Sequence, residues 1–272
     1  MQSRSIDFGM PTLIEFATLD ENVELCRQLG LRFVELNMNL PICCPERLGS
    51  SRIKHIARET NIDFTLHLPE ELNLASFQPS IRKGHVYRCK EAIEWAGASG
   101  IRLVNMHMNP GVYFSLPDRK VWIYERYTEE YLANIVQSVS ELIVHASGFG
   151  VTLSIENTGD FKHLFMREAL KLLSRIDGFA LTWDVGHDAA SGYLDRDVLM
   201  EHADSIRHMH LHDCVGNSSH QALFTGCVDT HSMLEFAKRN SIRIVIEVKT
   251  AKALSESVLG IQGEDGHDPH DN

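Results

Sequence analysis

The sequence predicts an α/β protein built as one closed (β/α)8 TIM barrel. Three observations lead there. Short β-like runs alternate with amphipathic stretches from end to end, and the alternation repeats eight times within 272 residues. No linker, low-complexity run or charge block divides the chain. Eight such units at this length fit a closed parallel barrel, which takes roughly 250 residues, better than an open sheet. The barrel is expected over residues 1–262, followed by a polar, acidic and mobile tail over 263–272.

The elements follow in order. Strands are expected at Ser5–Gly9, Phe33–Met38, Phe64–Leu68, Leu103–Met108, Thr152–Asn157, Leu181–Val185, Ile206–His212 and Ile244–Val248. Helices are expected at Asn22–Leu29, Ser51–Thr60, Ile81–Ala98, Tyr127–Ser147, Met166–Arg175, Arg196–Ala203, Met233–Arg239 and Ala251–Leu259. Tyr131, Leu132, Ile135, Val136, Val139, Leu142 and Ile143 give the clearest 3.6-residue period. Gly30, Gly100 and Gly150 stand where left-handed helix C-caps are wanted. The longest strand-to-helix connection, Asn109–Glu125, is a candidate lid or substrate loop.

Composition narrows the function classes. With 37 acidic and 26 basic side chains the net charge is −11. A nucleic-acid partner is therefore disfavoured, because phosphate binding wants a basic stripe. No window approaches the ~18 apolar residues of a membrane span. The first residues lack the apolar core of a secretory signal, so the cytoplasm is expected. Six cysteines include no C-x-x-C pair and read as free thiols of a reducing compartment. The unusual count is 15 histidines, against 3 tryptophans and 6 tyrosines, a first hint of metal or proton chemistry.

Side-chain alternation sharpens that hint. In Val151–Asn157, Val151, Leu153 and Ile155 share one face, and Thr152, Ser154 and Glu156 share the other. The first face meets the helices, so Glu156 points inward at the C-terminal end of its strand. The same parity turns His67, His107, Asp184 and Glu247 inward, and His208, His210 and His212 together. Six consecutive strands thus bring His67, His107, Glu156, Asp184, His210 and Glu247 to the rim where barrel enzymes keep their sites. One inward Glu is more often a satisfied ion pair. Several, with no matching Arg or Lys on those strand ends, call for a divalent cation to offset their repulsion. Mixed His and carboxylate ligands suit Zn²⁺, Mn²⁺, Co²⁺ or Fe²⁺ better than Ca²⁺.

Other residues read differently. His187, three after Asp184, and His220, in the loop after the seventh strand, are candidate substrate or second-metal contacts. His208 reads as a packed interior histidine. Asp229 reads as a helix N-cap. Gly9 and Gly226 read as turn or close-approach glycines, since no phosphate-loop string is present.

The strings TLHLPEELNLAS, VNMHMNPG, LSIENTGD, LTWDVGHDAASG, HMHLHDC, HQALFTGCVD and IVIEVKT, from the third strand to the eighth, resemble those of the xylose isomerase-like TIM barrels. That family includes sugar epimerases such as D-tagatose 3-epimerase, inosose and hydroxypyruvate isomerases, and endonuclease IV. In its isomerase and epimerase branch the resemblance implies one divalent metal on Glu156, Asp184, His210 and Glu247. Glu156 and Glu247 would also move the proton, and His187 would hold a substrate oxygen. The implied function is isomerisation or epimerisation of a small sugar, sugar phosphate or related ketone through a metal-stabilised cis-enediolate. In the endonuclease branch, three zinc ions are bound. His67 and His107 match the first extra site, and His187 and His220 match the second. Ser218 replaces that second site's aspartate, and Phe224 replaces a glycine of its loop. Both departures count against cleavage of abasic DNA, the alternative function. Barrels of this kind often pair, which makes a homodimer a candidate assembly, though none of these residues specifies an interface.

Overall fold

The computed structural model describes residues 6–216 and 218–265. Strands β1 (Phe8–Pro11), β2 (Phe33–Asn37), β3 (Asp63–His67) and β4 (Leu103–His107) lead into a hairpin, β5 (Tyr113–Ser115) and β6 (Lys120–Trp122). Strands β7 (Thr152–Glu156), β8 (Ala180–Asp184) and β9 (Ile206–Leu211) follow, then a second hairpin, β10 (Asp213–Val215) and β11 (Ser218–Gln221), and last β12 (Arg243–Ile246). Eight of these close a parallel barrel in the order β1-β12-β9-β8-β7-β4-β3-β2. This is the expected (β/α)8 architecture.

The helices are α1 (Leu19–Gln28), α2 (Ser50–Thr60), α3 (Pro79–Ser99), α4 (Ile123–Arg126), α5 (Thr128–Gly148), α6 (Leu164–Leu173), α7 (Val185–Ala190), α8 (Arg196–Glu201), α9 (Thr230–Asn240) and α10 (Ala251–Asp265). Local chemistry sets their ends. Thr18 and Glu21 form a reciprocal capping box at the start of α1. Asp229 caps α9 by accepting from Ser232 N at 3.1 Å, as its position suggested. Gly100 ends α3 at φ +86°, a conformation that only Gly adopts without steric cost. Helix α5 buries Tyr131, Ile135, Val139, Leu142, Ile143 and Ala146, the face its period marked out.

Several expectations change. The first strand lies at Phe8–Pro11 instead of Ser5–Gly9. Its register is set by neighbours, with Gly9 opposite Phe33 and Met10 opposite Val34, and the buried run FGMP has no alternation to read. The connection Asn109–Glu125 is the β5–β6 hairpin leading into α4. An unexpected helix, α7, starts directly after β8, because the Asp184 side chain accepts from His187 N and caps it. His187 therefore sits in a first helical turn, not in a loop. Helix α10 runs to Asp265, so residues 263–265 extend it into the expected tail; the rest of that tail, 266–272, lies outside the described residues.

Barrel register positions the site. Glu35 pairs with Thr65, His67 with Asn105, His107 with Glu156, and Asp184 with His210. Polar side chains that alternate inward on each strand thus meet across neighbouring strands at one end of the barrel. Outward residues such as Leu36, Leu66, Val104, Ile155 and Leu211 are buried against the helices.

Candidate metal centre at the barrel mouth

Glu156, Asp184, His210 and Glu247 converge, with one potential ligand atom from each within 4.8 Å of all the others. His210 Nδ1 lies 3.2 Å from Glu247 Oε2, 3.3 Å from Glu156 Oε1 and 3.9 Å from Asp184 Oδ2. The side chains are buried, that of Glu247 being the most open at 12% exposure. His210 Nδ1 and Nε2 and Glu247 Oε2 form no regular hydrogen bond among the described residues, Nε2 being held instead by a 2.7 Å ion-pair contact to Glu35 Oε1. Such orphaned atoms facing one another are what a missing ligand leaves behind. Three carboxylates and one imidazole nitrogen are a fitting donor set for a divalent transition ion.

Electrostatics say the same. Burial pulls His210 down, but Glu156, Glu35 and Glu247 outweigh it and hold the imidazole well above its usual range. Burial pushes Glu156 up, yet His210 and His107 hold it well below the ordinary carboxylate range. Glu247, likewise raised by burial, is held low by His210 and Lys249. Positive charge balances this cluster, supplied in the protein alone by the His210 proton and the Lys249 ammonium. Glu247 divides its oxygens, with Oε1 2.9 Å from Lys249 Nζ and Oε2 turned to the centre.

His67 and His107 form a second group on the other side of Glu156. His67 Nε2 lies 3.3 Å from Glu156 Oε2, and His107 Nε2 lies 3.5 Å from Oε1. His67 Nδ1 donates to the Leu68 carbonyl at 2.7 Å, so Nε2 is the edge that faces Glu156; burial pulls the ring down, but Glu156 raises it to about 9. Asn105 donates a hydrogen bond to the same carboxylate.

A third group is His187, His212 and His220. His187 Nε2 and His220 Nε2 are 3.3 Å apart. His220 Nδ1 donates to the Glu247 carbonyl at 3.0 Å, and burial pulls the ring down to about 4, so it is neutral. His212 is engaged on both edges, by Asp184 Oδ1 at 3.0 Å and by the His220 N–H at 2.8 Å. Ser218 Oγ accepts from Gln221 instead of completing the group. His220 lies, as expected, in the connection after the seventh barrel strand, which folds into the β10–β11 hairpin and holds it at a left-handed φ of 57°. A Cβ on Gly186 would overlap the His212 ring, which explains the glycine between Asp184 and His187.

Sequence reasoning missed Glu35. It sits inward on β2, 2% exposed, and binds His208 and His210 from beneath the centre. The available signal was one acid in the apolar run FVELN, with the parity of Phe33 and Asn37. Lys249 and Asn105 were also missed. His208 is the packed interior histidine it was expected to be, fully buried with Nε2 3.0 Å from Glu35 Oε2.

The family described as xylose isomerase-like TIM barrel matches residues 23–264. The chain belongs to that family. It is 24% identical over 196 residues to an uncharacterized protein of Methanocaldococcus jannaschii, covering 70% of this chain and 72% of that one. A second uncharacterized protein of that organism is 26% identical over 197 residues, covering 69% and 64%. Among solved structures, a D-tagatose 3-epimerase-like protein superposes with a TM-score of 0.75 at 22% identity, covering 96% of this chain and 100% of that one. The 3-keto-D-glucoside 4-epimerase of E. coli gives 0.74 at 15% identity, covering 95% and 100%. The IOLI protein with a bound zinc atom gives 0.69 at 16%, covering 95% and 96%. No described helix is long and apolar enough to cross a membrane.

Proposed function

We propose that this barrel is a divalent-metal-dependent isomerase or epimerase of a small sugar, sugar phosphate or related ketone. The observation that carries the reading is the convergence of Glu156, Asp184, His210 and Glu247, with His210 Nδ1 and Glu247 Oε2 lacking any other partner. Epimerases among the similar folds, and one bound zinc atom, support it.

Glu156, Asp184, His210 and Glu247 would hold the cation, which supplies Lewis acidity that polarises a carbonyl and acidifies the neighbouring C–H. Glu156 at the end of β7 and Glu247 just past β12 approach the centre from different strands. One takes the proton as base, and the other returns it as acid. Return to the opposite face of the resulting enediolate epimerises the carbon; return to the neighbouring carbon interconverts aldose and ketose. The unpartnered Nδ1 of His187 edges the same space, where it orients a substrate oxygen. The β5–β6 hairpin, with Val112 and Phe114 exposed, is suited to close over a small substrate. Six free cysteines suit the reducing cytoplasm in which we place the protein.

The test combines metal stoichiometry, on protein purified without added metal or a histidine tag, with deuterium uptake from heavy water into a panel of ketoses. About one ion per chain and a deuterated product are expected. A metal-loaded enzyme that exchanges no proton with any ketose would overturn the reading.

One observation favours a second reading, a zinc phosphodiesterase acting on abasic DNA. His67 and His107 face Glu156 in the manner of a further metal site. Two or three zinc ions per chain, with cleavage of an abasic duplex, would establish it. Ser218 and the net charge of −11 oppose it.

A further inference from the structure

We infer that Glu35 is a positioning residue that fixes the ring of His210 so that Nδ1, and not Nε2, is the ligating nitrogen. The inference rests on the metal-dependent reading above. It follows from the two edges of one imidazole. Nδ1 faces Glu156, Glu247 and Asp184. Nε2 lies 2.7 Å from Glu35 Oε1.

Glu35 reaches that edge across the barrel interior, since β2 and β9 are separated by β1 and β12. It is 2% exposed and has neither Arg nor Lys among its described partners. Its other oxygen, Oε2, accepts from Thr65 Oγ1 at 2.9 Å and meets His208 Nε2 at 3.0 Å. A buried carboxylate so placed is tolerable only if its neighbours present protons to it. His208 Nε2 hydrogen-bonds Oε2, and the 2.7 Å approach of His210 Nε2 to Oε1, close but off the angle of a regular hydrogen bond, is one that a carboxylate accepts only from a nitrogen carrying hydrogen. An imidazole protonated on Nε2 has its lone pair on Nδ1, aimed at the three carboxylates.

His208 and Thr65 fit the same role. They occupy Oε2 and leave Oε1 to His210 alone. Packing would not require a charge here, because an apolar side chain of similar volume would fill the interior without the desolvation cost. Carboxylates behind metal-bound histidines orient the ring and raise its basicity, and losing one typically weakens metal binding 10–100-fold.

Glu35→Gln keeps the shape and the Thr65 contact but removes the charge. Zinc affinity by chelator competition should fall about 10–100-fold. The unfolding midpoint in excess chelator reports packing separately. Two-dimensional ¹⁵N spectra of histidine rings in the zinc-loaded wild type should show His210 protonated on Nε2, with slow exchange of that proton. Zinc affinity of Glu35→Gln within threefold of wild type overturns the inference while leaving the metal reading intact. A wild type that binds no divalent ion overturns the metal reading itself. Should Glu35→Gln fail to fold, the wild-type spectra decide: His210 protonated on Nδ1 in the loaded protein sinks the inference.

Discussion

Glu156 is shared by two clusters, and that makes it the most exposed point of the functional reading. Oε1 faces His210 and His107, and Oε2 faces His67. Glu156→Gln keeps the volume and removes the charge that those imidazoles surround. Metal affinity is expected to drop by roughly 100-fold or more, beyond what a supporting partner alone contributes, and turnover should vanish. Chelator competition measures the first; retention of wild-type affinity would remove Glu156 from the ligand set. A different acid reports on pH. Burial raises Asp195 to about 6, against a stabilising bond from Gly159 N–H, with nearby Asp188 adding to the rise. A pKa raised on folding contributes stability that is complete below the unfolded value of 3.8 and is lost as pH rises through about 6. Asp195→Asn abolishes that loss. Relative to wild type, the variant should gain about 2–3 kcal/mol between pH 4 and 7 in urea unfolding. A difference independent of pH would show that Asp195 titrates normally.

Strands and connections differ in how far their sequence reveals them. In β9 the pattern His208-x-His210-x-His212 fixes parity with no tertiary information, since a pleat repeats every two residues. The same rule turns Glu156, Asp184, His67 and His107 inward, and the barrel brings them into neighbouring groups. It was equally applicable to Glu35, which was passed over because β2 otherwise reads as an apolar run. Connections carry no such period. The β10–β11 hairpin is held by Asp213, whose carboxylate accepts from the backbone N–H groups of Cys214, Thr225, Gly226 and Val228. Three of these donors lie 12–15 residues away, beyond any local pattern. Asp213→Ala would leave the four donors unsatisfied inside the loop that carries His220. A loss of about 2–4 kcal/mol is expected, since each buried unpaired donor costs about 1–3 kcal/mol and water recovers part of it. Hydrogen exchange at 225–228 should accelerate out of proportion to the global change. Unchanged protection there would mean the hairpin is held by other contacts.

For the molecule as a whole, the barrel concentrates unlike demands at one end. Alternation fills the outer face of each strand with aliphatic side chains, and closure forces the inner polar residues together whether or not they attract. Glu35, Glu156, Asp184 and Glu247 are brought into one buried region, with His67, His208 and His210 beside them. Folding therefore works against carboxylate repulsion at the mouth, and any cation that binds only the native arrangement offsets it. The consequence is a stability that depends on metal activity. At free metal about 1,000-fold above its dissociation constant, linkage adds about 4 kcal/mol. For a chain of this size each kcal/mol moves the unfolding midpoint by roughly 2–4 °C. Stripping the protein with a chelator should therefore lower Tm by on the order of 10 °C, and restoring zinc or manganese should recover it. The shift should grow with the logarithm of added metal, which separates specific binding from a general ionic effect. Equal midpoints with and without chelator, at saturating metal, would mean that the native mouth holds no metal cation, and the acids there would then be offset by the protons of His210 and His67 and by Lys249.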